Sequence, residues 1–322
     1  MDLSVIIPTF NRANLIKYTL DSLDKKFHDD LDIEVIVVDD GSTDGTWGIV
    51  AENYPKVKLI RNKSKGAASA RNTGLEIATG KHINYLDSDD IAGPDFYTKK
   101  IAYLNQHPET VACYGFYEYF QSDGAFTPDA IMFKHKYPVI TAPDKSRAHL
   151  INYLSGNFLP QNSIVWRRDF LQRIGGHDSH LAVNQDVELF VRAVFNGLSI
   201  VAVPDETKVF VRDHVLDNRV GDPRNSGKKW EQILALREKI YNDLSTYGYG
   251  DDDSYAALSS YIFGYWKQLR HQQPEIARKY LTFAKKIYWP VEIRGSIGYR
   301  MLSKVMGPVN AVNIKYFLLK RD

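Results

Sequence analysis

The sequence predicts an α/β fold, in which a mostly parallel sheet carries helices on both faces and a mainly helical C-terminal region follows. Apolar runs without alternation, such as Leu3–Pro8 and Ile33–Val38, are typical of strands buried on both faces. Amphipathic stretches separate these runs, and the resulting β-α-β-α order favours a parallel sheet. After Pro223 the pattern becomes helical. We therefore predict a first domain at residues 1–222 and a helical region at 223–322.

The elements of the first domain follow from the same patterns in chain order. A helix is predicted after the first strand because Ile16, Leu20, Leu23 and Phe27 are spaced along one helical face. The later elements are a short helix after the polar turn Asp39–Asp44, a strand Val57–Ile60, a helix Ala67–Ala78, a strand Ile83–Leu86, a loop over residues 122–143, a strand Ile164–Trp166, a helix Asp186–Phe195, and strands Ile200–Val203 and Val209–Arg212. Proline and glycine interrupt the predicted loop.

The composition is that of an ordinary globular protein. Of the 322 residues, 44% are hydrophobic and 25% are charged. Cys113 is the only cysteine, so an internal disulfide is excluded and a reduced, cytoplasmic setting is expected. The sequence has no signal-peptide pattern and no apolar run of about 18 residues, so we expect no membrane-spanning segment. We also expect no nucleic-acid partner.

Charge is distributed unevenly along the chain. Residues 267–321 carry twelve Lys or Arg residues against two Glu, whereas residues 1–266 carry 29 basic and 36 acidic residues. This asymmetry predicts an anionic partner for the C-terminal end, and the cytoplasmic face of a membrane is one candidate.

One basic segment of this region, Ile276–Trp289, has two interpretations. Its apolar residues Ile276, Tyr280, Phe283 and Ile287 share one helical face, and Arg278, Lys279, Lys285 and Lys286 lie roughly opposite. Such a helix could lie on an anionic membrane through its apolar face, or it could pack on the protein with solvated lysines. Trp230 and Trp266 could belong to an acceptor surface or to a homodimer contact.

Carboxylates follow two of the predicted parallel strands. Asp39 and Asp40 follow the second strand, and Asp87, Asp89 and Asp90 follow the fourth. Ligands bind at the carboxyl ends of parallel strands, so these residues should meet Pro8-Thr9 of the first strand at one edge. Clustered carboxylates repel unless a cation neutralises them, and a helix cap needs one carboxylate rather than three. We therefore expect a cation site at this edge, whereas Asp44 is expected to be a turn or cap residue.

The candidate ligands at this edge are all oxygens, which suit Mg²⁺ or Mn²⁺. Mg²⁺ typically keeps positions open for phosphate oxygens, so a diphosphate ligand is expected. The residues after the first strand, from Pro8 to Arg12, contain no glycine. The missing glycine-rich loop argues against a dinucleotide-dependent oxidoreductase and against a P-loop enzyme.

Four segments within the first 90 residues are informative together. They are Ser4–Arg12 (SVIIPTFNR), Val37–Asp44 (VVDDGSTD), Gly66–Gly74 (GAASARNTG) and Asp87–Asp90 (DSDD), and a looser match continues through Gly175–Asp178, Asn184–Asp186 and Val211–His214. In order and spacing they resemble the inverting glycosyltransferase family 2. The resemblance covers about residues 1–215 and implies the GT-A fold, a Rossmann-like domain.

The resemblance implies a metal-dependent enzyme that moves a sugar from a nucleotide diphosphate donor to an acceptor hydroxyl with inversion. It implies nucleotide-binding roles for Pro8, Thr9, Asn11, Arg12, Asp40, Arg71, Asp87 and Ser88, metal-binding roles for Asp89 and Asp90, a catalytic base at Asp186, and diphosphate or metal contacts for Arg212 and His214. Asp40 would accept a hydrogen bond from the nucleotide base, which favours uracil and hence a UDP-sugar. The implied cofactor is Mn²⁺ or Mg²⁺. The implied acceptor is a glycan or lipid-linked glycan, in polysaccharide or glycolipid synthesis.

The chemistry of such a transfer agrees with these residue types. A departing nucleoside diphosphate develops negative charge that a metal stabilises, and the attacking hydroxyl needs a base such as a carboxylate. The sequence departs from the family at Gln185, where Glu is usual before the catalytic Asp. Glu188 is the next candidate for the base. His177 stands where an aromatic residue is common and is expected to pack.

Other functions remain open from the sequence. A nucleotide-sugar-binding scaffold without turnover would be consistent with Gln185. A sugar-nucleotide pyrophosphorylase would need a glycine-rich basic loop after the first strand, and an aspartyl-phosphate phosphatase would need its Asp-x-Asp after that strand.

Overall fold

The computed structural model describes residues 1–28, 30–122, 124–125, 131–134, 137–142, 144–213, 227–291 and 296–319. Internal contacts divide the chain into two compact units. The first comprises residues 1–146 and 158–222, and the second comprises residues 147–157 and 223–322. Residues 147–157, which the sequence prediction placed in the first domain, therefore group with the C-terminal helices.

The strands of the first unit form two sheets. In chain order they are β1 (Leu3–Thr9), β2 (Ile33–Asp39), β3 (Lys58–Arg61), β4 (His82–Tyr85), β5 (Ile91–Ala92), β6 (Ala112–Tyr114), β7 (Phe116–Phe120), β8 (Ile131–Lys134), β9 (Ile164–Arg167), β10 (Ile200–Ala202) and β11 (Lys208–Arg212). The larger sheet has the order β10-β6-β9-β4-β1-β2-β3, in which only β9 runs antiparallel to its neighbours. This confirms the predicted mostly parallel sheet.

The second sheet was not predicted. Its order is β5-β11-β7-β8, and the chain passes into it from the larger sheet at Gly115, between β6 and β7. The prediction of a loop over residues 122–143 is wrong at Ile131–Lys134, which form β8 antiparallel to β7. A strand of four residues between proline and glycine has a weak local pattern, and its neighbour in the sheet decides its conformation.

The helices, in chain order, are α1 (Ile16–Asp21), α2 (Thr46–Asn53), α3 (Ala67–Ile77), α4 (Thr98–Gln106), α5 (Ser146–Leu154), α6 (Arg168–Arg173), α7 (Gln185–Phe195), α8 (Gly227–Thr246), α9 (Asp252–Leu269), α10 (Pro274–Ile287), α11 (Ile297–Met306) and α12 (Pro308–Leu319). The first helix is shorter than predicted. The hydroxyl of Ser22 donates to the Thr19 carbonyl and accepts from the Ala92 amide, so α1 ends there and a 3-10 turn follows at Lys25–Phe27. None of the helices in the described ranges has the length and apolar character needed to cross a bilayer.

Helix α3 lies directly against β1. A Cβ atom at Gly74 would lie 2.4 Å from Cγ2 of Ile6, so only glycine permits this approach. The close packing fixes the N-terminal half of α3, which carries Arg71, beside the carboxyl ends of the strands.

The C-terminal unit buries the apolar face of α10. The Tyr280 hydroxyl donates to the Trp230 carbonyl at 2.6 Å, Phe283 contacts Tyr241 edge to face, and Ile287 is buried. The interpretation in which this face contacts lipid is therefore wrong for these side chains. The apolar residues pack on α8 and α9, which leaves the α10 lysines in solvent.

Candidate functional site

The carboxyl ends of β1, β2 and β4 lie side by side at one edge of the larger sheet. Thr9 pairs with Asp39 in register, and the Asp40 amide donates to the Thr9 carbonyl at 2.8 Å. The Leu86 amide donates to the Ile6 carbonyl, so the segment that starts at Asp87 leaves the sheet beside β1. The structure therefore brings together the three strand ends that the sequence placed at one edge.

The two aspartates after β2 have different roles. Asp39 is buried, and its carboxylate accepts hydrogen bonds from the amides of Gly41 and Ser42 and from Arg61, which makes it a turn-forming residue. Asp40 accepts from Asn62 Nδ2 at 2.7 Å and from the Gly66 amide at 2.9 Å. These two bonds fix the Asp40 carboxylate while leaving it half-buried with spare acceptor capacity.

The loop after β1 is hydrogen-bonded to the loop after β2. Asn11 has a left-handed φ of 51°, its side-chain oxygen accepts from the Thr43 amide, and its amide donates to the Ser42 hydroxyl. Asp44 accepts from the amides of Ala13 and Thr46, which confirms its expected turn or cap role.

Pro8 and Thr9 are buried, so the base of a nucleotide in this region would contact mainly their backbone. Phe10 is 52% exposed beside them, and sequence analysis gave it no role.

The side chains of Asp87–Asp90, the segment that follows β4, do not point to one common position. The Asp87 carboxylate accepts from Arg71 Nη2 at 2.7 Å, and the Asp89 carboxylate lies 3.3 Å from Arg12 Nε. Asp90 points inward: it is buried and accepts from the Arg212 amide and from Asn162 Nδ2. Burial raises the pKa of Asp90 well above its ordinary value, and the nearby charges of Asp89 and Asp87 raise it further. Ser88 is also buried.

This geometry corrects the expectation that both Asp89 and Asp90 ligate a metal. The Asp90 carboxylate already accepts hydrogen bonds from protein groups, and one of these bonds joins the segment after β4 to β11. Within the described ranges, no group of three or more His, Cys, Asp and Glu side chains is arranged to hold a metal ion. Asp89 and the part-exposed Asp87 remain, and two carboxylates fit Mg²⁺ or Mn²⁺ if the diphosphate and water supply the other oxygens.

Arg212 is also placed differently from the expectation of a diphosphate contact. It is 5% exposed, and its guanidinium donates to the carbonyls of Asp89, Ser122 and Gly124. Its cationic group also lies over the Phe120 ring. Arg212 therefore holds the loop of Asp87–Asp90 against β7 and β11 rather than facing a ligand. The other candidate on this strand end, His214, lies outside the described residues.

Arg71 connects the strand edge to the start of α7. Its guanidinium donates to Asp87 Oδ1 at 2.7 Å and to Gln185 Oε1 at 3.2 Å. Gln161 lies beside it, and an amide orientation that donates to His177 Nε2 lets Gln161 also accept from Arg71. His177 is buried edge to face against Tyr85, as expected of a packing residue. Burial and the charges of Arg71 and Arg192 hold the pKa of His177 well below its ordinary value, so the ring is neutral.

Asp186 is the second residue of α7, after Asn184 in a left-handed conformation. The carboxylate is half-buried and within the electrostatic reach of Arg71 and Asp87. Burial raises its pKa above the ordinary value, against the lowering effects of the Val187 amide and Arg71. A carboxylate with a raised pKa is a better proton acceptor than an ordinary aspartate.

Glu188 cannot replace Asp186 as a base in this arrangement. Both of its oxygens accept from the Arg192 guanidinium at 2.8 Å, and the side chain is buried. Arg192 in turn donates to the carbonyls of Ile174 and Gly176. The sequence contained a sign of this pairing that we did not use, because Glu188 and Arg192 stand at the i, i+4 spacing of a helical ion pair.

Two residues of the site and one pairing within it were missed by sequence analysis. Gln161 and Asn162 come from a 3-10 turn, Gln161–Ser163, and contact Arg71 and Asp90 respectively. No sequence pattern marks them. The missed pairing is that of Arg12 with Asp89, since Arg12 was expected to face the nucleotide directly.

Comparison with known proteins shows the family and the fold of the chain. The sequence profile of Glycosyl transferase family 2 matches residues 4–174. An uncharacterized glycosyltransferase of Escherichia coli, YibD, is 42% identical over 98 residues, which are 30% of this chain and 28% of that protein. The chain thus spans less than a third of that relative.

Two solved structures share the fold. TarS from S. aureus (residues 1–349, in complex with UDP-GlcNAc) matches with a TM-score of 0.63 and 20% identity, over 89% of this chain and 81% of that one. The mannosyltransferase PcManGT from Pyrobaculum calidifontis, in complex with GDP-Man and Mn²⁺, matches with a TM-score of 0.50 and 19% identity, over 97% and 86%. The carboxylate-lined strand edge, the matched profile and the shared GT-A fold lead to one conclusion: this chain belongs to glycosyl transferase family 2.

Proposed function

We propose that the protein transfers a sugar from a uridine diphosphate sugar to an acceptor hydroxyl, with inversion at the anomeric carbon. The observation that carries this proposal is the Arg71 bridge, which joins Asp87 of the strand edge to Gln185 beside Asp186. It supports one site in which a donor-binding carboxylate and a proton-accepting carboxylate serve the same substrate.

The donor would lie along the carboxyl ends of β1, β2 and β4. Asp40, fixed by Asn62 and Gly66, has spare acceptor capacity for the N–H of a uracil ring. Asp87 and Asp89 would bind the ribose and a divalent metal, and that metal would stabilise the charge that develops on the departing diphosphate. Arg12, now paired with Asp89, adds a positive charge at the same place.

Asp186 would accept the proton of the attacking hydroxyl. Inversion needs a single displacement, in which the hydroxyl attacks the anomeric carbon from the face opposite to the leaving diphosphate. Because the raised pKa of Asp186 matches it to proton transfer near neutral pH better than an ordinary aspartate, it is the carboxylate that we assign as base. Gln185 stays neutral and accepts from Arg71, so a Glu at this position is not needed to hold Arg71.

The acceptor class is proposed as a glycan or a lipid-linked glycan, in polysaccharide or glycolipid synthesis. The single buried Cys113 supports a reducing, cytoplasmic location. A homodimer stays a prediction.

Donor binding should depend on a divalent metal and on Asp89. Calorimetric titration with UDP should show binding with Mn²⁺ or Mg²⁺ and at least tenfold weaker binding with a chelator, since bare carboxylates repel a diphosphate. Asp89→Asn should lose the metal-dependent part of the affinity. Asp169→Asn, an exposed change on α6, is the matched control and should bind as the wild type does.

Two outcomes of this titration would correct the proposal in different ways. Equal UDP affinity with metal and with chelator would remove the metal role and keep a donor site. A clear preference for GDP or dTDP over UDP would remove the uracil assignment of Asp40 and leave the metal role intact.

The pH dependence of transfer should report Asp186. A base must be unprotonated, so kcat/KM should fall as the pH falls through the Asp186 pKa, which lies above the ordinary aspartate value. Arg71 lowers this pKa, so Arg71→Met should move the acid limb to higher pH, in addition to any loss of donor affinity. The position of the limb in a kcat/KM profile from pH 4 to 8 is the measurement, and a limb that moves to lower pH or stays in place would contradict the assignment.

A further inference from the structure

Helix α11 exposes apolar side chains that the described residues of the C-terminal unit do not cover. Met301 is 63% exposed and Val305 is 84% exposed. They stand four residues apart, so they lie one above the other on the same side of the helix. Two such residues together on a helix surface differ from the single exposed apolar residues that every protein has.

A row of basic side chains runs next to this apolar pair. Arg300 and Lys304 are exposed, stand at the same i, i+4 spacing, and each precedes one of the apolar residues by one position. We call Arg300, Met301, Lys304 and Val305 the α11 face. Residues 296–319, which contain α11 and α12, carry no Asp or Glu.

We propose that the α11 face docks the protein reversibly on a bilayer that contains anionic phospholipid. Helices that lie in a membrane interface combine an apolar row, which enters the boundary between headgroups and acyl chains, with a basic row that stays among the headgroups. Met301 and Val305 supply the first row, and Arg300 and Lys304 supply the second. Lys315 of α12, whose Nζ lies 4.7 Å from the ring centre of Tyr299, adds a third positive charge to this helix pair.

The charges on this face select lipid over a second copy of the chain. A symmetric dimer through the α11 face would bring Arg300 and Lys304 close to the same residues of the partner, and like charges at an interface oppose association. An anionic lipid surface has the complementary charge. Helix α10 is not the docking element, because its apolar residues Tyr280 and Phe283 are buried in the unit.

Liposome flotation with the full chain tests the proposal through two matched pairs of variants. Vesicles of phosphatidylcholine with one quarter phosphatidylglycerol should bind the wild type, and pure phosphatidylcholine vesicles should not. Arg300→Gln with Lys304→Gln should lower partitioning about 25-fold, at about fivefold per charge. Lys285→Gln with Lys286→Gln removes the same charge from α10 and should change it much less.

The apolar row has its own control. Met301→Ser with Val305→Ser should lower partitioning about tenfold or more, because little apolar surface would then enter the interface. Ile77→Ser with Val139→Ser, exposed residues of the first unit, should have no effect. UDP titration of each variant keeps this test separate from the proposed donor site.

Three results would overturn the proposal. The first is a wild type that stays with the soluble fraction on anionic vesicles at low salt. The second is equal loss from the α10 and α11 charge pairs, which would mean diffuse attraction of the basic tail rather than a docking face. The third is a stable dimer in analytical ultracentrifugation that Met301→Ser with Val305→Ser dissociates, since the face would then bind a second copy.

Discussion

Asp186→Asn is expected to lower the rate of sugar transfer about 10²–10⁴-fold and to leave donor affinity within a few-fold of wild type. The amide keeps the size of the side chain and its position at the start of α7, but it cannot accept the proton of the attacking hydroxyl. Only the transition state uses that acceptance, so kcat falls while the binding of UDP does not change. Initial rates and a UDP titration on the same preparation measure both quantities.

Asp169→Asn is the matched control for this experiment. Asp169 is the second residue of α6, as Asp186 is of α7, and it is exposed. The two variants therefore remove the same charge from the same helical position, so any common effect on helix stability cancels in the comparison. Should Asp186→Asn transfer sugar at a near wild-type rate, the base lies elsewhere in the chain. Glu188 is a poor substitute because Arg192 occupies both of its oxygens.

Arg212→Met is expected to destabilise the protein by about 3–5 kcal/mol, because each buried carbonyl acceptor that loses its donor costs about 1–3 kcal/mol. The guanidinium donates to three carbonyls in two loops, and methionine would leave the carbonyls of Asp89, Ser122 and Gly124 without those donors. The loop that carries Asp87 and Asp89 would also lose its anchor, so donor affinity should fall with stability. Urea denaturation followed by tryptophan fluorescence measures the free energy of unfolding.

An exposed arginine of the same unit calibrates this effect. Arg173→Met, on the surface of α6, should change the free energy of unfolding by less than about 0.5 kcal/mol. Arg212→Lys separates charge from geometry, since lysine keeps the charge but cannot direct donors to three carbonyls at once. We expect it to recover only part of the loss. Full stability in Arg212→Lys would mean that the positive charge holds the loop, and not the hydrogen bonds from the guanidinium to the three carbonyls.

The larger sheet could be predicted because its strands are buried on both faces. Apolar runs such as Val5-Ile6-Ile7 leave little choice but a central strand. The second sheet escaped prediction because β7, Phe116–Phe120, places Glu118 in a buried position where Lys208 of β11 neutralises it. A buried glutamate breaks the apolar pattern, and its partner lies 90 residues away in the chain.

The candidate site was predictable where short local segments specify it. Asp40, Asp87 and Asp89 follow strands whose ends meet at one edge, and the parallel direction of those strands follows from the β-α-β-α pattern. The orientation of Asp90 was not predictable, because it depends on Asn162, a residue with no local pattern. The role of Arg212 was hidden for a different reason: its acceptors are backbone carbonyls, and these carry no residue type that a sequence could display.

The configuration of the sugar released from the donor tests the central claim most directly. A nucleotide sugar that stabilises the protein in a thermal shift screen with Mn²⁺ would be incubated with the enzyme, and proton NMR would follow the anomeric signals before mutarotation. An inverting transfer assisted by Asp186 predicts that a donor with an α-linked sugar first yields the β anomer, or a β-linked product with an acceptor, and that Asp186→Asn abolishes this signal. First appearance of the α anomer, or no consumption of any donor that binds, would contradict the account.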